Sequence, residues 1–394
     1  MRQVHSRWLA GGALTLALAG CQAGPPSATP TQETGAATAG DAVERPAAPS
    51  GPRTIASGLE HPWSVALLPD GGFLVTERPG RLRRISADGK VSGPLAGVPK
   101  VFAAGQGGLL DVVLAPDFAS SHRIYLSYAE PGGNDTAGTA AATATLGENA
   151  ITDLRVIYRQ QPKLEGSNHF GSRIAFDNAG HVFITQGERQ NRMAAQDLGM
   201  LQGKLVRLNI DGSIPADNPF VGRKGARPEI FSYGHRNMQG LAVDPRTGKV
   251  WQSEHGPRGG DEINLPQAGR NYGWPIITHG IDYPGYPISE SVGTSAPNME
   301  QPYHVWAKSP ALSGMAFLTG HPESAWNDSL FLGSLVENNL IRLTLQGDRI
   351  VSEERLLGDV GERVRDVRVG ANGKVYVLTD EDDGKLLELT PPKK

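Results

Sequence analysis

Cysteine is almost absent from this 394-residue chain, and Cys21 is the only one. No disulfide can form within it, so burial and hydrogen bonding alone must hold the fold. Aromatic residues are scarce at 6%, which leaves the core to aliphatic side chains in short runs. The formal net charge is −3 and there is no run of Lys or Arg. That excludes the basic field a nucleic-acid backbone requires. Long apolar segments are missing too: the stretch from Trp8 to Ala19 is too short to span a bilayer.

That stretch follows Arg2 and Arg7 and ends in Leu18-Ala19-Gly20-Cys21. A basic start, a short apolar run and small residues before a cysteine form the pattern of a bacterial lipoprotein signal. Residues 1–20 are therefore expected to be removed and Cys21 lipidated. The expectation is an exported protein, lipid-anchored at the periplasmic face of the membrane, the outer membrane being the predicted one. Residues 21–52 are Ala, Pro, Thr, Gly and Ser with hardly a large apolar side chain. Such a segment cannot bury enough to offset its chain entropy and reads as a disordered tether. The folded part is predicted to span 53–394.

Within it one unit returns: a polar turn containing Asp or Asn with Gly, then four or five apolar residues. The copies are Pro69–Thr76, Ala115–Ser127, Asp177–Thr185, Asp244–Trp251, Trp326–Leu332 and Ala371–Thr379. With Gly 50 and Pro 29, these six copies at blade-sized spacing predict an all-β fold, a six-bladed β-propeller. Three stretches, Pro131–Asp153, Asp217–Arg227 and Ile281–Gln301, read as long loops rather than strands. Loops of that length in a compact domain are commonly functional. The third, with Tyr283 and Tyr286, is expected to wall the site at one end of the central channel.

The segment Ser253-Glu254-His255-Gly256-Pro257-Arg258-Gly259-Gly260-Asp261-Glu262, continuing to Asn271-Tyr272-Gly273-Trp274, is the candidate working centre. Its glycines and prolines oppose regular structure and free the carbonyls to face a ligand. Those carbonyls, with Asp261 and Glu262, are donors of the kind calcium takes. The same residues would also serve as an acidic surface turn.

Seven motifs, taken together and in order, carry a resemblance. They are His61-Pro62-Trp63, Gly105–Asp111, Asn168-His169-Phe170-Gly171, Gly203-Lys204-Leu205-Val206-Arg207, Arg236-Asn237-Met238-Gln239-Gly240, the segment just described, and Arg363-Val364-Arg365-Asp366-Val367. The chain from about His61 to Leu389 resembles the soluble aldose sugar dehydrogenases that use pyrroloquinoline quinone. More distantly it resembles the soluble glucose dehydrogenase of the same superfamily. The resemblance implies a six-bladed propeller, a pyrroloquinoline quinone cofactor, Ca2+, an aldose substrate oxidised at C1 and an external electron acceptor. It implies His169 as general base, and Gln106, Arg236, Asn237, Tyr283, Arg363 and Arg365 as cofactor contacts. Lys308 is a further contact by position, displaced by one residue from the family pattern in Trp306-Ala307-Lys308. The cofactor's calcium is matched to the carbonyls of Gly256 and Pro257, and a second calcium to Glu262 and Tyr272. A cofactor with three carboxylates needs fixed cations, and proton removal from a sugar hydroxyl suits a neutral imidazole on an exposed turn.

Two other readings stand beside this one. A calcium-dependent lactonase would need the metal and no quinone. A non-catalytic lipoprotein would use the propeller face for binding protein or glycan. Arg363 and Arg365 separate them, since a lactonase has no reason to gather arginines beside Arg236.

Overall fold

The computed structural model describes residues 51–394. Six four-stranded antiparallel sheets follow one another, and in five of them the strand order is the order of the chain. The first strands are Pro62–Leu67, Leu109–Leu114, Gly171–Phe176, Met238–Val243, Leu312–Leu318 and Val364–Val369. Each packs against the first strand of the blade on either side, closing a ring. The last blade borrows its outer strand from the other end of the chain: Arg53–Leu59 pairs with Gly384–Leu389. Backbone hydrogen bonds thus lock the circle.

The core lies between blades. Leu74 and Leu82 of the first blade meet Leu109 and Leu126 of the second, and Tyr125 and Tyr158 of the second meet Ile184 and Val206 of the third. The same layer recurs around the ring and closes where Tyr376 and Leu378 meet Phe73 and Val75. Each fully buried aliphatic or aromatic side chain contributes on the order of 1.5–3 kcal/mol, which suffices without disulfides.

All six polar turns fall at one place. They are the hairpins between the first and second strands: Pro69–Gly72 leads into Phe73–Glu77, and Ala371–Lys374 into Val375–Thr379. One expectation fails. Residues 131–153 are not a loop, because Ala137–Leu146 is a ten-residue strand and Ile151 begins the next. Its alanines are buried on both faces, Ala140, Ala142 and Ala144 toward the first blade and Ala141 toward the third. Small side chains let neighbouring blades approach there, so a low apolar content does not signal a loop. Asp217–Arg227 and Ile281–Gln301 contain no strand, as predicted. Cys21, the signal and the tether as far as residue 50 lie outside the described residues. Among the described residues no helix is long and apolar enough to cross a membrane.

The first strand of every blade shows a register irregularity against the second, near its N-terminal end: between Pro62 and Ser64, Leu109 and Val112, Gly171 and Ile174, Met238 and Gly240, Leu312 and Met315, and Val364 and Asp366. A bulge re-aims side chains and ends regular pairing. It recurs here at the end of the channel opposite the polar turns, and the residues it re-aims include Trp63, Asp111, Arg173, Gln239 and Arg365.

Candidate active site

Two kinds of connection meet at the bulged end: loops entering each first strand, and turns between second and third strands. His61, Gln106, His169, Arg236, Asn237 and Arg363 come from the former. Arg78, Glu188, His255–Gly260 and Asp380 come from the latter. A cavity of about 420 Å³ at this end is lined by Trp63, Arg78, Gln106, His255, Arg363 and Arg365, among others, and His169 and Arg236 are hydrogen-bonded to its Gln106 and His255.

His169 is buried, at 8% exposure, rather than on the exposed turn its neighbours suggested. Its φ of 56° is uncommon for a side-chain-bearing residue, and hydrogen bonds hold it. Its backbone N–H donates to Gln106 Oε1 at 2.8 Å. Its Nδ1–H donates to the Glu188 carboxylate at 2.7 Å. A carboxylate can only accept, so the proton sits on Nδ1 and Nε2 keeps its lone pair. The result is an imidazole oriented by a carboxylate, an arrangement compatible with general-base chemistry.

Beside it, His255 donates from Nε2–H to the Leu312 carbonyl. Burial, then the charge of Arg236, pushes its pKa down to about 3. It is therefore neutral at ordinary pH.

The arginines converge. Arg365 binds Asp380 through both Nε, at 3.0 Å, and Nη2, while its Nη1 donates to Gln239 Oε1 at 2.7 Å. Arg363 Nη2 lies 3.7 Å and Arg78 Nη2 3.9 Å from the same carboxylate. Arg236 Nη1 donates to the His255 carbonyl at 3.2 Å, with its guanidinium 5.3 Å over Trp274. Several buried donors have no partner among the described residues: Arg78 Nε, Arg236 Nε, Asn237 Nδ2 and Trp274 Nε1. Buried polar groups are normally paired, so a set of unpaired donors among four arginines marks a place for an anion.

Asp380 keeps this cluster together. Burial acts to raise its pKa, but Arg365, Arg78 and Arg363 outweigh that and hold it well below the usual carboxylate range. Such a depressed group lends stability that is present above its unfolded pKa of about 3.9 and is lost as pH falls below it. Asp380→Asn is expected to lower the urea midpoint at pH 6 and to converge on the wild type as pH falls toward 2. A gap that does not narrow would remove Asp380 from the acid response.

The glycine-rich segment forms the turn between the strands Val250–Glu254 and Asp261–Asn264. Gly256 and Pro257 are buried, yet their carbonyl oxygens accept no hydrogen bond from the described residues. The chain is close-packed there, since a Cβ on Gly256 would lie 2.2 Å from the Gly259 oxygen. Asp261 does not join them. Its Oδ1 accepts from Gly256 N–H at 3.0 Å and its Oδ2 from Leu312 N–H at 3.1 Å. Adjacent strand residues point to opposite faces, so Glu262 turns away from Asp261 and pairs across the sheet with Glu254. Burial, then the charge of Glu254, pushes the Glu262 carboxyl well up, a strain a cation would relieve. The Tyr272 hydroxyl is committed, donating to the Leu265 carbonyl at 2.7 Å and accepting from Gln267 N–H at 3.0 Å. Its ring stacks on His235 at 4.9 Å. Among the described residues no group of three His, Cys, Asp or Glu side chains is arranged for a metal. Any cation site here rests on carbonyls or paired carboxylates.

Two sequence-predicted contacts stand apart. Tyr283 is 67% exposed and Lys308 is exposed, and neither lines the cavity. Tyr283 sits on a turn tied to the candidate metal segment, where Ile281 and Arg258 exchange backbone hydrogen bonds. Arg78, Glu188, Gln239 and Asp380 were not singled out from the sequence as site residues. Three of them had a signal: the repeated sequence units ending at Thr76, Thr185 and Thr379 are each followed within three residues by Arg78, Glu188 or Asp380.

Residues 59–388 match the family described as Glucose / Sorbosone dehydrogenase. The aldose sugar dehydrogenase YliI of Escherichia coli K12 is 52% identical over 336 residues, covering 84% of this chain and 91% of that protein. A crystal structure of a glucose dehydrogenase superposes with a TM-score of 0.85 at 56% identity, covering 86% of this chain and 99% of the other. The PQQ-bound aldose sugar dehydrogenase of Streptomyces coelicolor superposes at 0.72 with 29% identity, covering 86% and 96%. With its whole propeller matched, the chain belongs to the glucose/sorbosone dehydrogenase family.

Proposed function

We propose that the chain is a quinoprotein that oxidises the C1 hydroxyl of aldose sugars to lactones and passes the electrons to an external acceptor. The observation that carries this reading is the set of buried donors on Arg78, Arg236, Asn237 and Trp274 that find no partner among the described residues, with Arg78, Arg363 and Arg365 lining one cavity and His169 bound to Gln106 of the same lining. A lactonase has no use for that cationic set. Pyrroloquinoline quinone, when bound, supplies a two-electron acceptor carrying three carboxylates. Arg78, Arg236, Arg363 and Arg365 would hold those carboxylates, with Asn237 donating from Nδ2 and Gln106 fixing the His169 backbone. Ca2+ would be held by the Gly256 and Pro257 carbonyls, where it serves as a Lewis acid. Glu254 and Glu262 form a second place for a cation, with a structural role.

The chain's own chemistry is proton removal. Glu188 accepts from His169 Nδ1–H, which leaves Nε2 to take the C1 hydroxyl proton as that carbon loses hydride. The Glu188 carboxylate then stabilises the imidazolium.

The test is reconstitution. Purified apoprotein with pyrroloquinoline quinone and Ca2+ is expected to show a change in cofactor absorbance and sugar-dependent dye reduction with glucose. A strong chelator should abolish both and lower the melting temperature, since an ion bound only by the native state stabilises it. No dye reduction in the loaded protein would sink the function; full activity after chelation and dialysis would sink the metal.

For the N-terminus we propose lipid anchoring through Cys21. Cys21→Ala is expected to move the protein from the membrane to the soluble fraction with activity intact. Continued membrane association of that variant would contradict the anchor.

A further inference from the structure

The motif Gly203-Lys204-Leu205-Val206-Arg207 takes no part in the cavity, yet it buries an ammonium completely. Lys204 Nζ donates to three carbonyls: Ala194 at 2.8 Å, Ala195 at 3.1 Å and Gln202 at 2.7 Å. Three donors thus meet three acceptors. Burial pushes the pKa of this group down to about 7, with the Asp197 carboxylate opposing. A methionine would fill the same space without desolvating a charge, so the ammonium must be serving what it holds.

Two of its carbonyls end the short 3-10 helix Arg192–Ala195. That helix closes a segment that starts at Glu188 and forms the wall behind His169. Glu188 accepts from the imidazole. Arg189 donates to the Asn168 and Gly166 carbonyls and lies 3.7 Å over Phe170. Gln190 Oε1 accepts from Asn168 Nδ2 at 3.4 Å. Arg189 and Gln190 have φ of 59° and 61° in succession, a conformation that persists in such residues only where the surroundings impose it. The segment is fixed at its start by Glu188 N–H donating to the Arg236 carbonyl at 2.9 Å. Lys204 fixes the other end.

We propose that Lys204 is a positioning residue: by clamping the Ala194 and Ala195 carbonyls it holds Glu188 at hydrogen-bond distance from His169 and so sets the orientation of the base. The inference rests on His169 acting as proposed above.

Two measurements test it. In the reconstituted holoenzyme, Lys204→Met is expected to lower kcat about tenfold with KM for the sugar within about twofold. In a Glu188→Gln background the same change is expected to do less than about twofold, because what Lys204 positions is already lost. Fully additive losses would overturn the proposal, as they would show a stability effect independent of Glu188. In the apoprotein, Lys204→Met is expected to speed hydrogen exchange of the amides from 188 to 196, and unchanged exchange overturns the proposal. This second measurement decides even if the wild type shows no quinone-dependent turnover. Lys204→Gln keeps two N–H donors, so it is expected to fall between the two. It goes through both measurements if the Met variant does not fold, and a Gln variant equal to wild type in both would overturn the clamp.

Discussion

His169→Gln is expected to bind sugar and cofactor as the wild type does and to turn over roughly 10²–10⁴-fold more slowly, the usual span for losing a general base. Glutamine can keep a hydrogen bond to the sugar hydroxyl but cannot take its proton. The loss should appear in single-turnover reduction of the loaded enzyme rather than in KM, since the group acts only as the proton leaves. The structure sharpens the expectation, because Glu188 fixes the donor on Nδ1 and leaves Nε2 as the one acceptor. A variant that reduces its cofactor at the wild-type rate would move the base elsewhere in the cavity.

His255 would then be the group to examine. It lines the cavity, is held neutral, and donates Nε2–H to Leu312, so its Nδ1 keeps a lone pair. Its commitment to a backbone carbonyl lacks the feature that favours His169: no carboxylate stands behind it to stabilise a gained proton.

The sequence made the propeller legible because its turns repeat locally, and each polar turn needs only its own few residues. Those turns lie at the wrong end of the channel for chemistry. The site was legible only as motifs, since its residues come from loops of different blades that no local rule brings together. Glu188 illustrates the limit. It is 19 residues from His169, and nothing in the spacing says that a loop entering one strand and a turn leaving the next share a wall. Asp380 and Arg365 are 15 residues apart, yet it is the pairing of their strands that joins them. The reading of 131–153 as a loop failed because composition cannot tell an alanine run that faces solvent from one pressed between blades. Asp261 shows a further limit: an acidic residue beside a turn looks like a metal ligand until its oxygens are found capping backbone amides.

The floor beneath the cavity carries the other large expectation. Arg173 is buried, its Nη1 2.9 Å from Asp366 and 3.3 Å from Asp111, with its guanidinium 4.0 Å over Trp63. Arg368 completes the group, 2.7 Å from Asp111 and 3.2 Å from Asp366. The two carboxylates also accept from Ser64 Oγ–H, Val65 N–H and Ile174 N–H. First strands of three blades are thereby joined across the channel axis by buried charge. Burial acts to lower the Arg173 pKa, and Asp366 and Asp111 oppose it. A buried ion pair adds little over an apolar substitute, but removing one partner leaves the other charge uncompensated, at about 3–5 kcal/mol. Arg173→Met strands two carboxylates against Arg368 alone, so the apoprotein should lose about that much in a urea titration. The loss should reach the site as well. Arg173 donates from Nε to the Gln239 carbonyl at 2.9 Å and from Nη2 to the Arg365 carbonyl at 3.0 Å, and Gln239 in turn accepts from the Arg365 side chain that binds Asp380. Cofactor affinity should fall in the same variant, measured as quinone titrated into apoprotein under conditions where the variant is folded. A stability loss below about 1 kcal/mol, or a folded variant with unchanged cofactor affinity, would show that the charged floor neither closes the propeller nor aligns the arginines above it.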